Sequence, residues 1–236
     1  MGLPPSHPQL LDWLALEFRD SGGSFKHLHK LIVTSSTYRQ SSTLSEKFAK
    51  IDSNNQLLWR MNRRRLEAEE LRAAILATSG TLNLLLGGPG FYLFKLEKTA
   101  HSPHYEYHKF DPADANSHRR SVYRFIVRSQ PDPFMTTLDC ADSSQRTPKR
   151  DETLTALQAL SLLNNKFTLY MAGQFSNRIQ KESKTLKGQI RRAHQLTTGR
   201  PPNTQEMKAL HTYAQQHGLQ NLCRVLFNLS EFTFLD

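Results

Sequence analysis

Histidine and aspartate side chains concentrate in residues 101–142, where they could carry acid–base chemistry. The candidates for catalysis are His104, His108, Asp132, Asp139 and Asp142. Paired carboxylates can donate and accept protons during hydrolysis. The spacing of these residues is loose, however, and aspartates beside proline and serine are also ordinary turn residues. The pattern therefore has two interpretations, an acid–base site and an irregular polar loop.

A metal site is a second chemistry that these histidines could support. His101, His104 and His108 could reach one metal ion if the segment were helical, but Pro103 disfavours a regular helix there. The sequence contains no glycine-rich phosphate loop and no C-x-x-C or C-x-x-C-H motif. It therefore predicts no metal site, no c-type haem attachment and no cofactor in this chain.

Basic side chains follow the histidines and indicate an anion-binding surface. The formal net charge of +10 favours acidic partners, such as nucleic acid or a sulfated glycan. Tyr123 and Phe125, beside Arg124 and Arg128, could stack on bases, although no helix-turn-helix or RNP motif occurs. Pairing of arginines with carboxylates inside the fold is the alternative. The candidate anion-binding residues are Arg119, Arg120, Arg124, Arg128, Lys149 and Arg150.

Apolar residues at helical spacing predict a mainly α fold, an irregular multi-helix domain. The first helix is predicted to be capped by Ser6 with Gln9, and the second by Ser24. A helical region over 54–80 stops at Gly80, a later helix stops at Gly199, and Asn203 with Glu206 forms a capping box. We expect a single domain over residues 1–236, with 185–236 as a C-terminal helical subdomain.

Residues 151–178 contain the longest periodic apolar pattern, which Asn164-Asn165 divides into two helices. Its stripe is formed by Leu154, Leu157, Leu160, Leu163, Phe167, Tyr170 and Met171. We predict that Leu157, Leu160, Leu163 and Phe167 belong to the core. Gln158 lies within this stretch and needs hydrogen-bond partners if it is buried.

A small β element is predicted around 122–127, because Ser121–Arg128 alternates apolar and charged residues and is rich in β-branched and aromatic types. No apolar run is long enough for a transmembrane helix, and the first residues do not form a secretory signal. The spacing of Cys140 and Cys223 leaves open whether they pair.

Seven segments, in order along the chain, resemble the planctomycete domain of unknown function 1553. They are PPSHPQLLDWLALEF, HKLIVTSSTYRQSS, NNQLLWRMNRRRLEAEELRAAIL, RRSVYRFIVRS, TPKRDETLTALQALSLLNN, TTGRPPNTQE and LFNLSEFTFLD. Members of that family are usually parts of large exported proteins that often carry a planctomycete-type cytochrome c domain. The resemblance therefore implies other domains of a parent protein as partners, and a periplasmic or cell-surface location. No catalytic residue is established for the family, so none carries over.

The same resemblance places the MGLPPSHP segment at an internal point of the family domain. It implies that an N-terminal helical portion is missing and that this chain leaves an apolar patch uncovered. If the chain were complete, the lack of a signal would instead indicate the cytoplasm.

Three hypotheses about function follow. The first is a non-catalytic helical module of a larger exported protein, which contacts other domains or an anionic polymer such as a sulfated glycan. The second is an enzyme, hydrolytic or redox-linked, that uses the His/Asp region 101–142. The third is a protein that binds nucleic acid without sequence preference.

Overall fold

The computed structural model describes residues 4–98, 102–147 and 149–235. About 52% of the described residues are helical, which confirms the mainly α class. The chain forms two compact units. The first ends at Arg64, and the second spans Arg65–Leu235. No helix in the described part of the chain is long and apolar enough to cross a membrane.

In its described residues, the first unit contains three helices, α1 (Pro8–Asp20), α2 (Phe25–Thr34) and α3 (Glu46–Ala49). Ser24 caps α2 as predicted, because its Oγ accepts a hydrogen bond from the His27 N–H. The predicted Ser6 cap is wrong. His7 occupies the N-cap of α1 without a side-chain bond, and Pro8 supplies the helix-compatible backbone angle that starts the helix.

The segment 54–63, predicted as helix, is a set of turns. Asn55 adopts a positive φ of 55°. Its amide nitrogen donates to the Arg60 carbonyl, and its side-chain oxygen accepts from the Arg60 N–H. Asparagine tolerates this left-handed conformation better than most residues, and these bonds compete with helical ones. The long helix therefore begins only at Ala68.

The second unit contains eight helices in its described residues. They are α4 (Ala68–Ser79), α5 (Pro133–Thr137), α6 (Ala156–Asn164), α7 (Lys166–Glu182), α8 (Leu186–Thr198), α9 (Thr204–His217), α10 (Leu219–Leu226) and α11 (Ser230–Thr233). The strands of the described chain are β1 (Arg64–Arg65), β2 (Lys95–Lys98), β3 (Pro103–Glu106) and β4 (Phe234–Leu235). Strands β2 and β3 pair antiparallel, with Lys95 opposite Glu106.

Helix α7 is the centre of the core and packs against α4, α8 and α10. Its fully buried Phe175 stacks on Phe227 with ring centroids 5.5 Å apart. Helices α4, α8 and α10 contribute Leu71, Ile190 and Leu222 to the same cluster. Helices α8 and α10 therefore share one core with α4 and α7.

Helix α6 turns a different face inward from the one predicted. Leu157 and Leu160 are 63% and 54% exposed, whereas Gln158 and Leu162 are 3% and 2% exposed. The core prediction is wrong for Leu157 and Leu160. It is correct for Phe167, and Leu163 is half-buried. Asn165 caps α7, so the predicted division into two helices is confirmed.

Gln158 explains why this face is buried. Its amide nitrogen donates to Asp139 and to the Thr153 hydroxyl, both at 2.9 Å. Its carbonyl oxygen accepts from the Thr155 N–H, which completes a capping box. These bonds compensate the burial of the amide, as its position required.

The β element predicted at 122–127 is reduced to an isolated bridge. Ser121–Tyr123 forms a short 3-10 turn, and Arg124 makes a single parallel bridge with Phe91. The Phe125 N–H donates to the Phe91 carbonyl at 2.8 Å, and the Phe91 N–H donates to the Tyr123 carbonyl at 3.0 Å. Because Phe91 directly follows the turn cluster 86–90, this partner segment is too short for a ladder.

Both cysteines are free thiols. Burial raises the pKa of Cys223 to about 12. Burial, together with the neighbouring Glu69 carboxylate, also raises the pKa of Cys140. We expect iodoacetamide at pH 8 to leave Cys223 unmodified in the native protein and to modify Cys140 slowly, because the thiolate is the reactive form. Mass spectrometry of tryptic peptides measures both rates. Equal labelling of the two thiols without denaturant would contradict this burial difference.

Candidate functional site

Asp139 is a structural residue in this fold. It adopts a positive φ of 63°, and its carboxylate bonds to residues just before and within the first turn of α6. The carboxylate accepts hydrogen bonds from the Thr153 N–H and hydroxyl and from Gln158, and it lies 3.3 Å from the Arg65 guanidinium. These bonds fix the loop before α6 and occupy both oxygens.

The remaining histidine and aspartate candidates divide between the surface and one cavity. His104 is exposed on β3, and Asp142 is an exposed turn residue. Hydrogen bonds from Ser144 lower the pKa of Asp142. His101 lies outside the described residues. His108 and Asp132, in contrast, line the same cavity. The described residues contain no group of three or more His, Cys, Asp or Glu side chains that could hold a metal ion.

The cavity has a volume of about 330 Å³ and lies between α4, α5 and the first turn of α7. This volume falls at the lower end of the range for small-molecule pockets. Its polar lining consists of Arg72, Tyr107, His108, Asp132, Asn165 and Lys166. Its apolar lining consists of Leu93, Phe110, Pro133, Phe134 and Phe167.

Arg72 is the most deeply buried charged residue among the described residues that line this cavity. It lies on the inward face of α4 and is only 1% exposed. Its guanidinium donates to the Arg119 carbonyl at 2.9 Å and to the Ser117 carbonyl. The rings of Phe91 and Phe167 lie 5.0 and 5.3 Å from its central carbon. Burial and the nearby Arg124 lower the pKa of Arg72 to about 10, so it remains charged at neutral pH.

Asp132 is held in place by the backbone of α5. Its Oδ1 accepts from the N–H groups of Phe134 and Met135, as an N-cap does. Its Oδ2 lies 3.9 Å from a guanidinium nitrogen of Arg124. Burial raises the pKa of Asp132, and Arg124 together with the two backbone bonds only partly opposes that rise. One carboxylate therefore faces two buried guanidiniums, those of Arg72 and Arg124.

Tyr107 and Lys166 complete the polar lining. Burial raises the pKa of Tyr107 to about 12, and its hydroxyl already donates to the Gln130 carbonyl at 2.8 Å. The Lys166 ammonium donates to the carbonyls of His108 and Phe110. Burial lowers the pKa of Lys166. Lys166, Asp132 and Tyr107 are thus each bonded to backbone partners.

Comparison with known protein families finds a match. The model of PSD1, described as a protein of unknown function (DUF1553), matches residues 1–214. The chain belongs to this family. No curated protein and no solved structure matches the chain.

Several basic residues that were predicted to bind anions form hydrogen bonds or ion pairs within this DUF1553 fold. The Arg119 guanidinium donates to the carbonyls of Pro89, Leu85 and Gly87. The Arg124 side chain is buried, and Arg150 pairs with Glu67 and Glu69. Arg120 is half-buried, whereas Arg128 and Lys149 are exposed, with Arg128 donating to the Ser144 carbonyl. The exposed part of the predicted set is therefore Arg128 and Lys149.

A second basic surface, which was not predicted from the sequence, lies where α7 meets α8. We call it the α7–α8 corner and define it as Lys181, Lys184, Lys187 and Arg191, all of which are exposed. Glu182, the acidic residue within this stretch, is engaged by Arg178 at 2.8 Å and by Arg192 at 2.5 Å. No carboxylate in the described ranges forms an ion pair with the four corner residues. The sequence signal for this surface is the spacing of four basic residues around a single acidic residue, Glu182.

The buried position of Arg72 was also not predicted, although the sequence contains a signal for it. The buried positions of α4 include Ala68, Leu71, Ile75 and Leu76, which recur at helical spacing. Arg72 falls on that same face. A lone arginine within an apolar helical stripe must find internal acceptors, because an unpaired buried charge is costly.

Proposed function

We propose that this DUF1553 chain is a non-catalytic helical module of a larger exported protein that contacts anionic polymers, such as sulfated glycans, through the α7–α8 corner. The observation that carries the proposal is the group of four exposed cations with no carboxylate partner among the described residues. The corner extends over eleven residues of chain, from Lys181 to Arg191. The other domains of the parent protein are the second class of partner.

Electrostatics alone gives such a surface weak affinity without sequence preference. A polyanion carries a layer of counterions, and each protein cation that replaces one releases it to solution. Affinity then falls steeply as salt concentration rises. This mechanism needs exposed, unpaired cations and no shaped pocket, which is the arrangement of the corner.

Catalysis by the region 101–142 has weaker support. Asp139 and Asp132 bind backbone N–H groups, and Asp142 and His104 lie on the surface. His108 and Asp132 line one cavity, but the Asp132 carboxylate is committed to the cap of α5. We therefore favour binding over proton transfer.

Retention on immobilised heparin tests the polymer proposal. We expect the variant Lys187→Gln/Arg191→Gln to elute at clearly lower salt than the parent chain. The slope of log affinity against log salt should fall by about 1 for each contact removed. The matched control is Lys149→Gln/Arg128→Gln, which removes the same two residue types from the surface predicted by sequence. It should elute close to the parent.

Two results would contradict this assignment. Equal loss of retention in both double variants would show that only the net charge matters. Greater loss in the Lys149/Arg128 variant would move the contact to the surface around 119–150. Comparison of heparin with double-stranded DNA of matched charge, at one salt concentration, then separates a glycan preference from non-specific nucleic-acid binding.

A further inference from the structure

We propose that the cavity between α4, α5 and α7 binds a small organic carboxylate with an aromatic or flat apolar body. This site differs from the α7–α8 corner and does not depend on the polymer proposal. Its main recognition groups are Arg72, Lys166, Phe110, Phe134 and Phe167.

Charge is the first reason to expect an anion there. Arg72 and Lys166 line the cavity, while Asp132 is the single carboxylate among its described lining residues. Asp132 also faces Arg124, whose side chain is 7% exposed, so it cannot neutralise both guanidiniums. Burying unbalanced positive charge is costly, and a bound carboxylate would reduce the excess.

Unused donor capacity is the second reason. Among the described residues, two hydrogen bonds join the Arg72 guanidinium to carbonyl oxygens, whereas a guanidinium carries five N–H donors. The Lys166 ammonium has three donors and likewise makes two bonds to carbonyls. Both side chains therefore hold donors beyond the bonds that fix them, and both border the cavity. A carboxylate oxygen is a strong acceptor for such donors.

The first turn of α7 adds to this positive field. Asn165, Lys166 and Phe167 line the cavity, and α7 is a helix of 17 residues. The N-terminus of a helix carries a partial positive charge and favours anions nearby. This contribution supports the site only together with the buried Arg72, which supplies the full charge.

The aromatic residues that line the cavity indicate the shape and polarity of the rest of the ligand. Phe134 and Phe167 pack with ring centroids 6.0 Å apart, and Phe110 lies 5.6 Å from the Lys166 ammonium. Leu93, which is buried, continues the apolar lining. Such rings favour a flat, apolar body, whereas a small hydrophilic anion such as phosphate would leave them without contacts. The cavity of about 330 Å³ accommodates a one- or two-ring acid.

Calorimetric titration of the full chain with 2-naphthoate is the test. We expect a Kd of about 1 mM or tighter for a ligand of this size. The neutral isostere 2-naphthamide should bind at least about tenfold more weakly, because it cannot supply the missing negative charge. Lys166→Met keeps the aliphatic stem and removes the charge, so it should weaken 2-naphthoate binding by about tenfold. Lys208→Met, at an exposed position on α9, is the matched control and should change the affinity less than twofold.

Amide NMR shifts locate the binding independently of any variant. On addition of 2-naphthoate, the amides of Asn165, Lys166 and Phe167 should shift, while those of α9 should not. The site is disproved if 2-naphthoate gives no heat and no shifts at millimolar concentration. It is also disproved by equal binding of 2-naphthamide, or by shifts confined to other surfaces. Binding of inorganic phosphate without binding of 2-naphthoate would leave an anion site but overturn the proposed ligand class.

Discussion

Replacing Arg72 by methionine is expected to lower the free energy of unfolding by about 3–5 kcal/mol. The substitution keeps a long apolar side chain between Phe91 and Phe167 but removes the donors to the carbonyls of Ser117 and Arg119. Each buried acceptor without a partner costs about 1–3 kcal/mol. Urea unfolding followed by circular dichroism measures the change.

Two further variants show whether the loss comes from these hydrogen bonds. Arg72→Lys retains the charge but offers a single nitrogen, which cannot reproduce the planar fork between two carbonyls and two rings. It should remain clearly destabilised. Arg191→Met, at an exposed position of the α7–α8 corner, is the matched control and should lie within about 0.5 kcal/mol of the parent. Equal stability of Arg72→Met and Arg191→Met would disprove the role of Arg72 as an anchor for residues 117–119.

Truncation of Leu162 to alanine is expected to cost about 2–5 kcal/mol. Leu162 is 2% exposed and belongs to the main core cluster, so the shortened side chain leaves a cavity and loses apolar contacts. Chemical denaturation reports this loss as a lower midpoint with an unchanged slope.

Leu160→Ala is the control on the same helix. Leu160 is 54% exposed, and the same truncation should therefore change the free energy of unfolding by less than about 1 kcal/mol. The comparison holds residue type, helix and substitution constant and varies only burial. If Leu160→Ala proves as damaging as Leu162→Ala, the exposed face of α6 must be covered in solution.

Local signals in the sequence determined much of the helical structure. Asn203 with Glu206, Ser24, Gly80 and Asn165 all cap or end helices where their types predicted. Each of these effects involves only backbone groups within a few residues, so no knowledge of distant contacts is needed. The mainly α class follows from the same signals.

Tertiary structure decided which face of α6 is buried. The pattern of leucines predicted that Leu157 and Leu160 are buried, because a periodicity argument assumes that apolar residues face the core. Asp139, nineteen residues before Gln158, binds the Gln158 amide and anchors that face toward the core instead. A polar residue with a distant partner can thus outweigh the leucines around it, and sequence order does not reveal that partner.

The candidate functional residues also divide into features that the sequence indicates and features that only the tertiary structure decides. Sequence alone showed the family resemblance and the excess of basic residues, and it suggested His108 and Asp132 as candidates. It could not show that Arg119 and Arg124 are engaged inside the fold, or that Lys181 and Arg191 remain without carboxylate partners among the described residues. It also could not join Arg72 and Lys166, which are 94 positions apart, at one cavity. Whether a charge is paired or available depends on neighbours that only chain folding brings within hydrogen-bonding distance.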